Sequence, residues 1–171
     1  ETGLHLYDNP YEILTNNPTF DVQLDLLNKY SHLTNGDPKE QFIKGLPYES
    51  NGLGALSLPG DYSSASRFIK ALFVKNYLLS SNKLTEQVRD FFKILESVSM
   101  PYGCVLTDNG YEYTLYSSCY DLTNITLYYK TYENPMINCL SLKDFDYKSK
   151  EIISIPLNRF YRIFKTVTHI G

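Results

Sequence analysis

Tyr111-Glu112-Tyr113-Thr114-Leu115-Tyr116-Ser117-Ser118-Cys119 is the stretch that decides the fold class. From Tyr111 onward the apolar pattern repeats at every second residue, which is the period of a strand. The spacing predicts strands over Tyr111–Cys119 and Ile125–Tyr132, joined by the turn Asp121-Leu122-Thr123-Asn124, and shorter strands over Ile137–Leu140 and Ile152–Ile155. Upstream of Tyr111 the period is helical. Val88, Phe91, Phe92, Leu95 and Val98 form one stripe of a helix predicted from Thr85 to about Val98, with Glu86 in the first turn, where the helix dipole favours an anion. Ser63 to about Ser80 carries Phe68, Leu72 and Leu79 beside Ile69, Phe73 and Tyr77. Before it, Asn17 can cap a helix with Pro18 at its first position. The apolar lines Phe20, Leu24, Leu27 and Val22, Leu26, Tyr30, Leu33 carry that helix to about Leu33, where Asn35-Gly36-Asp37-Pro38 stops it.

At the start of the chain, Leu4-His5-Leu6-Tyr7 alternates, Asp8-Asn9-Pro10 is turn chemistry, and Tyr11–Thr15 alternates again, which predicts a hairpin. A hairpin that begins almost at Glu1, in a chain beginning with neither Met nor Cys, leads us to expect further chain upstream. The order is therefore hairpin, three helices, then antiparallel strands: an α+β chain whose sheet needs helices on one face and another cover on the other. That other cover is not in sight, so an open apolar face or edge is expected. Residues 35–60 hold five glycines and three prolines and read as a long irregular loop, which is unusual inside a compact domain and suits function or assembly.

Composition narrows the class. The 171 residues are enough for one domain with a core. Sixteen Tyr, nine Phe and no Trp suit pleated sheet and partly wet pockets, because a Tyr ring buries while its hydroxyl keeps a polar partner. A net charge of -3 gives no reason to expect nucleic acid or an anionic membrane as partner. No apolar run approaches the ~20 residues that span a bilayer. Glu1–His5 has neither the basic nor the apolar region of a secretory signal. Three cysteines, Cys104, Cys119 and Cys139, make a poor disulfide framework, so a reducing cytoplasm is expected.

Few residues carry chemistry. His5, His32 and His169 lack metal-ligand spacing, and neither a metal nor another cofactor is expected. Gly52-Leu53-Gly54-Ala55-Leu56-Ser57 is a broken echo of a dinucleotide loop and reads as a glycine-rich surface loop. Two stretches have more weight. In Leu14-Thr15-Asn16-Asn17-Pro18, Asn16 sits where a strand gives way to a helix; its amide can donate to an oxyanion or simply cap the helix. In Leu58-Pro59-Gly60-Asp61-Tyr62-Ser63-Ser64-Ala65-Ser66-Arg67-Phe68, Pro59-Gly60 turns the chain, and Asp61, Ser63 or Ser64 can cap a helix. Arg67 then lies at the unfavourable end of the helix dipole and should have an anionic partner. That partner is either Asp61, in a salt bridge, or a reacting anion or thiolate.

Together and in this order, about fifty residues apart, the two stretches resemble the choloylglycine hydrolase family, which includes conjugated bile salt hydrolases and penicillin V acylases. Phe91-Phe92-Lys93-Ile94-Leu95 with Val98-Ser99-Met100, Tyr113–Tyr120 and Tyr132-Glu133-Asn134 also look like that family. The likeness covers residues 4 to about 155, while Asn158–Gly171 matches nothing. The resemblance implies part of an N-terminal-nucleophile αββα sandwich that hydrolyses a linear amide. The nucleophile is a Cys exposed as residue one, its thiolate attacking the carbonyl and its α-amino group serving as base. Carried over by position, Asn16 is an oxyanion-hole donor and Arg67 the catalytic arginine. Glu1 is not that Cys, so the nucleophile and much of the substrate pocket are expected in an N-terminal portion upstream, and residues 1–171 form the C-terminal portion of a single domain. Cys119, mid-strand and without a free amine, is no substitute; it, Cys104 and Cys139 read as structural or incidental. Asn17 departs from the Ser common in the family. The resemblance further implies a homo-tetramer joined through residues 35–52. A bile salt hydrolase releasing glycine or taurine is the leading reading, with penicillin V acylase beside it and a non-catalytic fragment or subunit module as the reading of another class.

Overall fold

The computed structural model describes residues 6–39, 42–45 and 50–162. It divides into two compact units, Glu1–Ser81 with Lys93–Ser99, and Asn82–Phe92 with Met100–Gly171. The elements, in order, are helices α1 (Phe20–Leu27), α2 (Ser64–Tyr77) and α3 (Leu84–Ser97), then strands β1 (Val105–Thr107), β2 (Gly110–Glu112), β3 (Tyr116–Asp121), β4 (Thr126–Thr131) and β5 (Asn138–Ser141). The expected run of three helices followed by antiparallel strands is present.

The first unit is built on α1 and α2. Phe20, Phe68 and Ile69 are buried together, and Ile13, Leu24, Leu27, Tyr30, Leu33 and Leu58 pack around them. Phe20 meets Phe68 edge to face at 6.4 Å between ring centroids. A fully buried ring of this kind contributes about 1.5–3 kcal/mol relative to exposure. Helix α1 starts later than predicted. Thr19 is its N-cap, without a side-chain cap, and Asn17 instead donates its N–H to Ser64 Oγ at 3.1 Å. Beyond Leu27 the helix tightens into a 3₁₀ turn over Asn28–Tyr30. Its inward face also differs from the predicted one. Val22 is 42% exposed, whereas Gln23 is fully buried. The reason is polar: Gln23 Nε2 donates to the carbonyls of Thr15 at 3.2 Å and Pro18 at 2.7 Å, a role Val cannot fill.

The predicted hairpin over residues 4–15 is not formed among the described residues; Leu4 and His5 lie outside them. Its turn is present, with Asn9 Oδ1 accepting from Glu12 N at 3.0 Å and Asn9 Nδ2 donating to Ile13 O at 3.1 Å. Among the described residues no strand ladder flanks that turn. Lys75 of α2 anchors the segment instead, donating to Tyr11 O at 2.8 Å and Glu12 Oε2 at 2.7 Å. This pairing holds the Glu12 carboxyl below its usual pKa. In the loop that follows α1, a short 3₁₀ turn forms over Leu53–Ala55. There Thr34 N donates to Gly54 O at 2.9 Å, and Leu53 N donates to Asp37 Oδ1 at 2.8 Å.

The second unit holds the strands. The predicted strand Tyr111–Cys119 is two strands, interrupted at Thr114. Thr114 N donates to Met100 O at 3.0 Å, and its hydroxyl accepts from Met100 N at 2.9 Å, so both groups are withdrawn from any ladder. Its first half, β2, pairs with β1, a strand that the alternation did not reveal. The second half, β3, runs antiparallel to β4, which pairs with β5. The turn from β3 to β4 is the expected one. Asp121 Oδ1 accepts from Thr123 N and Asn124 N, each at 3.0 Å, and Oδ2 from Asn124 Nδ2 at 2.6 Å. Tyr102, Tyr113 and Tyr132 stack edge to face at 5.0 Å between successive rings. The predicted strand Ile152–Ile155 is irregular chain, with Ile152 98% exposed and no face to cover it. Farther on, Asn158 docks on the sheet: its N–H donates to Tyr129 Oη at 3.3 Å, and its carbonyl accepts from the buried Asn134 Nδ2 at 3.1 Å.

Among the described residues, one edge of this sheet is open and carries exposed aromatic rings. β3 is an edge strand among the described residues, and Tyr116 and Tyr120, an even number of positions apart along the strand and so on one face, are each 61% exposed.

Candidate functional site

Both candidate residues lie in the first unit, at the start of α2. Ser63 caps the helix, its side chain accepting from Ser66 N at 3.3 Å. Asp61 does not cap it. It braces the turn before it, with Oδ1 accepting from Ser63 N at 2.9 Å and Oδ2 from Ser66 Oγ at 2.6 Å. These hydrogen bonds, chiefly from Ser63 and Ser66, hold the Asp61 carboxyl at a pKa of about 2. Asp61 is thus an anion committed to serine donors, and it forms no ion pair with Arg67.

Ser64, the first residue of α2, ties the helix to the Thr15–Pro18 loop. Its hydroxyl accepts from Asn17 N at 3.1 Å and donates to Asn16 Oδ1 at 3.0 Å, while its carbonyl accepts from Thr15 Oγ1 at 3.1 Å. Gln23 closes the same loop from α1, bonding Thr15 O and Pro18 O. Asn16 is exposed, and with Oδ1 engaged its Nδ2 has no partner among the described residues.

Arg67 lies three residues after Ser64 and shares its helix face. Its side chain is partly buried, and its Nε is a buried donor without an acceptor among the described residues. Gln23 Oε1 is the matching case of a buried acceptor without a donor. The fold brings the Asn16 loop and Arg67 to the same end of α2, although no hydrogen bond joins the two. The arrangement presents a neutral amide donor and a guanidinium. Such groups stabilise developing negative charge on an oxygen or a thiolate.

No described residue of this unit is a cysteine. Cys104, Cys119 and Cys139 all belong to the second unit, and all three are free thiols. Cys119 stands opposite Tyr128 in the ladder, and burial, with Asp121 second, pushes its thiol above the usual pKa. That favours the protonated form, the reverse of what a nucleophile needs. Among the described residues no cluster of His, Cys, Asp and Glu could hold a metal ion. His5 and His169 lie outside those residues.

The sequence singles out Asn16 and Arg67 as candidates, but not Gln23 or the bonds that Ser64 makes to the Asn16 loop. The signal for Gln23 was a single amide inside the apolar spacing of α1. Ser64 could be read only as one of three capping candidates, because its partners are some fifty positions away.

Comparison with known proteins places the chain. Residues 1–155 match the family of linear amide C-N hydrolases, choloylglycine hydrolase family. The chain is 47% identical over 158 residues to a bile salt hydrolase/transferase of Lactiplantibacillus plantarum, covering 91% of this chain and 49% of that protein. It is 33% identical over 159 residues to a bile salt hydrolase/transferase of Clostridium perfringens, covering 91% of this chain and 48% of that protein. The solved structure of a conjugated bile acid hydrolase variant from Clostridium perfringens superposes with a TM-score of 0.78 at 31% identity, over 96% of this chain and 50% of that one. A penicillin V acylase from Agrobacterium tumefaciens shares the fold at a TM-score of 0.59 and 23% identity, over 80% of this chain and 37% of that one. The chain spans about half the length of the curated relatives it matches.

Proposed function

Because the chain belongs to the choloylglycine hydrolase family of linear amide C-N hydrolases, we propose that its residues are the C-terminal part of a conjugated bile salt hydrolase, completed by a preceding N-terminal portion into one domain. The observation that carries the reading is the pair of unpartnered donors at one end of α2, Asn16 Nδ2 and Arg67 Nε. In the reaction, the thiolate of an N-terminal Cys supplied by the preceding portion attacks the amide carbonyl. The C=O electron pair moves onto oxygen, and Asn16 Nδ2 donates to that oxyanion. Arg67 favours the thiolate over the thiol. The free α-amino group of the Cys titrates near pKa ~7.7–8.0 and takes the thiol proton. It returns that proton to the leaving nitrogen, glycine or taurine departs, and water hydrolyses the thioester. No cofactor takes part.

Bile salt is favoured over penicillin V as substrate by the 47% identity to a bile salt hydrolase/transferase, against 28% to a penicillin V acylase of Pectobacterium atrosepticum. Residues 35–52 are proposed to join subunits of a homo-tetramer; residues 40, 41 and 46–49 of that loop lie outside the described ones. No described helix is long and apolar enough to cross a membrane, and a cytoplasmic enzyme is proposed.

The test is glycine and taurine release from conjugated bile salts by the full-length protein that carries this segment. Asn16→Ala should lower kcat by ~10²–10³, the usual effect of losing one oxyanion donor, and Arg67→Ala should lower it comparably. Unchanged turnover in both variants removes the site assignment. No turnover in the unmutated protein favours the non-catalytic module.

A further inference from the structure

We infer that Ser64 is a positioning residue that fixes which atom of the Asn16 amide faces the reaction; this rests on the proposed role of Asn16. A serine hydroxyl has one hydrogen to give and two lone pairs to offer. In this structure one lone pair is taken by Asn17 N–H at 3.1 Å, and the hydrogen goes to Asn16 Oδ1 at 3.0 Å. In this arrangement Asn16 presents its oxygen to Ser64, which turns Nδ2 the other way. Reversing the amide would take the acceptor from the Ser64 hydrogen, which would have to turn away before the NH2 could donate to the remaining lone pair.

The backbone around Asn16 is held independently. Gln23 Nε2 bridges Thr15 O and Pro18 O, and Thr15 Oγ1 donates to Ser64 O, a carbonyl that survives any substitution of the side chain. Removing the Ser64 hydroxyl therefore leaves the loop clamped at both ends while freeing the Asn16 amide to rotate. The helix that carries Ser64 also carries Arg67, so one rigid element sets the amide donor and supplies the cation. The sequence treats Ser64 only as a capping candidate, and the cap itself is Ser63.

The experiment is a double-mutant cycle on the full-length protein, with kcat and KM for a glycine-conjugated bile salt. Ser64→Ala should lower kcat about tenfold or more while KM stays within about twofold; complete loss of the donor sets the upper limit at ~10²–10³. Ser64→Thr, which keeps the hydroxyl, should retain most of the rate. In the double variant Ser64→Ala/Asn16→Ala the loss should equal that of Asn16→Ala alone, because an amide that is gone cannot be misoriented. Thermal midpoints measured in parallel separate lost folding from lost orientation. If Ser64→Ala does not fold, Ser64→Cys keeps the size with a weak donor and should show the same kcat loss. A Ser64→Ala loss that multiplies fully with that of Asn16→Ala, or a rate that Ser64→Ala leaves unchanged, overturns the positioning role while Asn16 stands. If Asn16→Ala itself turns over normally, the Asn16 assignment falls and the Ser64 role falls with it.

Discussion

Arg67 is placed where stability gains little from it. A guanidinium at the first turns of α2 opposes the helix dipole, and its buried Nε has no acceptor among the described residues. A buried donor left unsatisfied costs about 1–3 kcal/mol. The nearest acidic residue by sequence, Asp61, is already committed to Ser63 and Ser66. Function and stability should therefore separate at this position. Arg67→Ala is expected to leave the unfolding free energy within about 0.5 kcal/mol of the parent, or to raise it, since it removes the unpaired donor along with the charge. Urea unfolding of the parent and the variant measures this directly. A loss of several kcal/mol would show that the guanidinium is a structural tie. The sequence made half of this legible. Arg67 stands at the unfavourable end of the helix dipole, so a partner was expected, but whether Asp61 supplied it depended on serine hydroxyls whose directions no spacing encodes.

At the scale of elements, what could be read was whatever depends on local period. Helices α2 and α3 are found within about one to three residues of their predicted bounds, because each has a continuous apolar stripe. The strands were less legible because their ends are set by distant partners. Thr114 looks like a strand residue by alternation, yet two hydrogen bonds to Met100 take it out of the sheet. The glycine loop shows the same limit in another form. Gly54 reads from sequence as part of a glycine-rich surface loop. In the fold its Cα lies against backbone, and a Cβ there would fall 1.8 Å from Gly36 O and 2.6 Å from Thr34 O. Those neighbours are main chain and cannot swing aside as a long side chain can. Gly54→Ala should thus displace residues 34–36 and break the bond from Thr34 N to Gly54 O, costing about 1–3 kcal/mol as overpacking does. Gly60→Ala is the control, since nothing lies within 4 Å of a Cβ at that position. Equal midpoints for the two variants in thermal unfolding would mean the 34–54 contact is not held in solution.

For the molecule as a whole, the exposed aromatic edge and the half-length match can be tested together. The edge strand β3 offers Tyr116 and Tyr120, both largely exposed, along a row of backbone groups that can pair with another strand. An exposed edge of this kind marks an interaction surface or an aggregation site. If a preceding portion of the same protein covers it, the isolated 171-residue chain should bind a hydrophobic dye and associate as its concentration rises. The part of the Lactiplantibacillus plantarum relative that lies outside the match is a concrete probe, because the chain aligns with only 49% of that protein. Mixed or co-expressed with the chain, that part should suppress dye binding, give a one-to-one complex on sedimentation, and turn over conjugated bile salt when neither piece does so alone. The complex should lose that turnover with Asn16→Ala, since the donor would come from this chain and the nucleophile from the other. Suppressed dye binding with no turnover would support the cover but not the shared site. A chain that stays monomeric, binds no dye and ignores the probe would mean that the aromatic edge is tolerated by a self-sufficient protein, and the proposal that another half completes the site would fail.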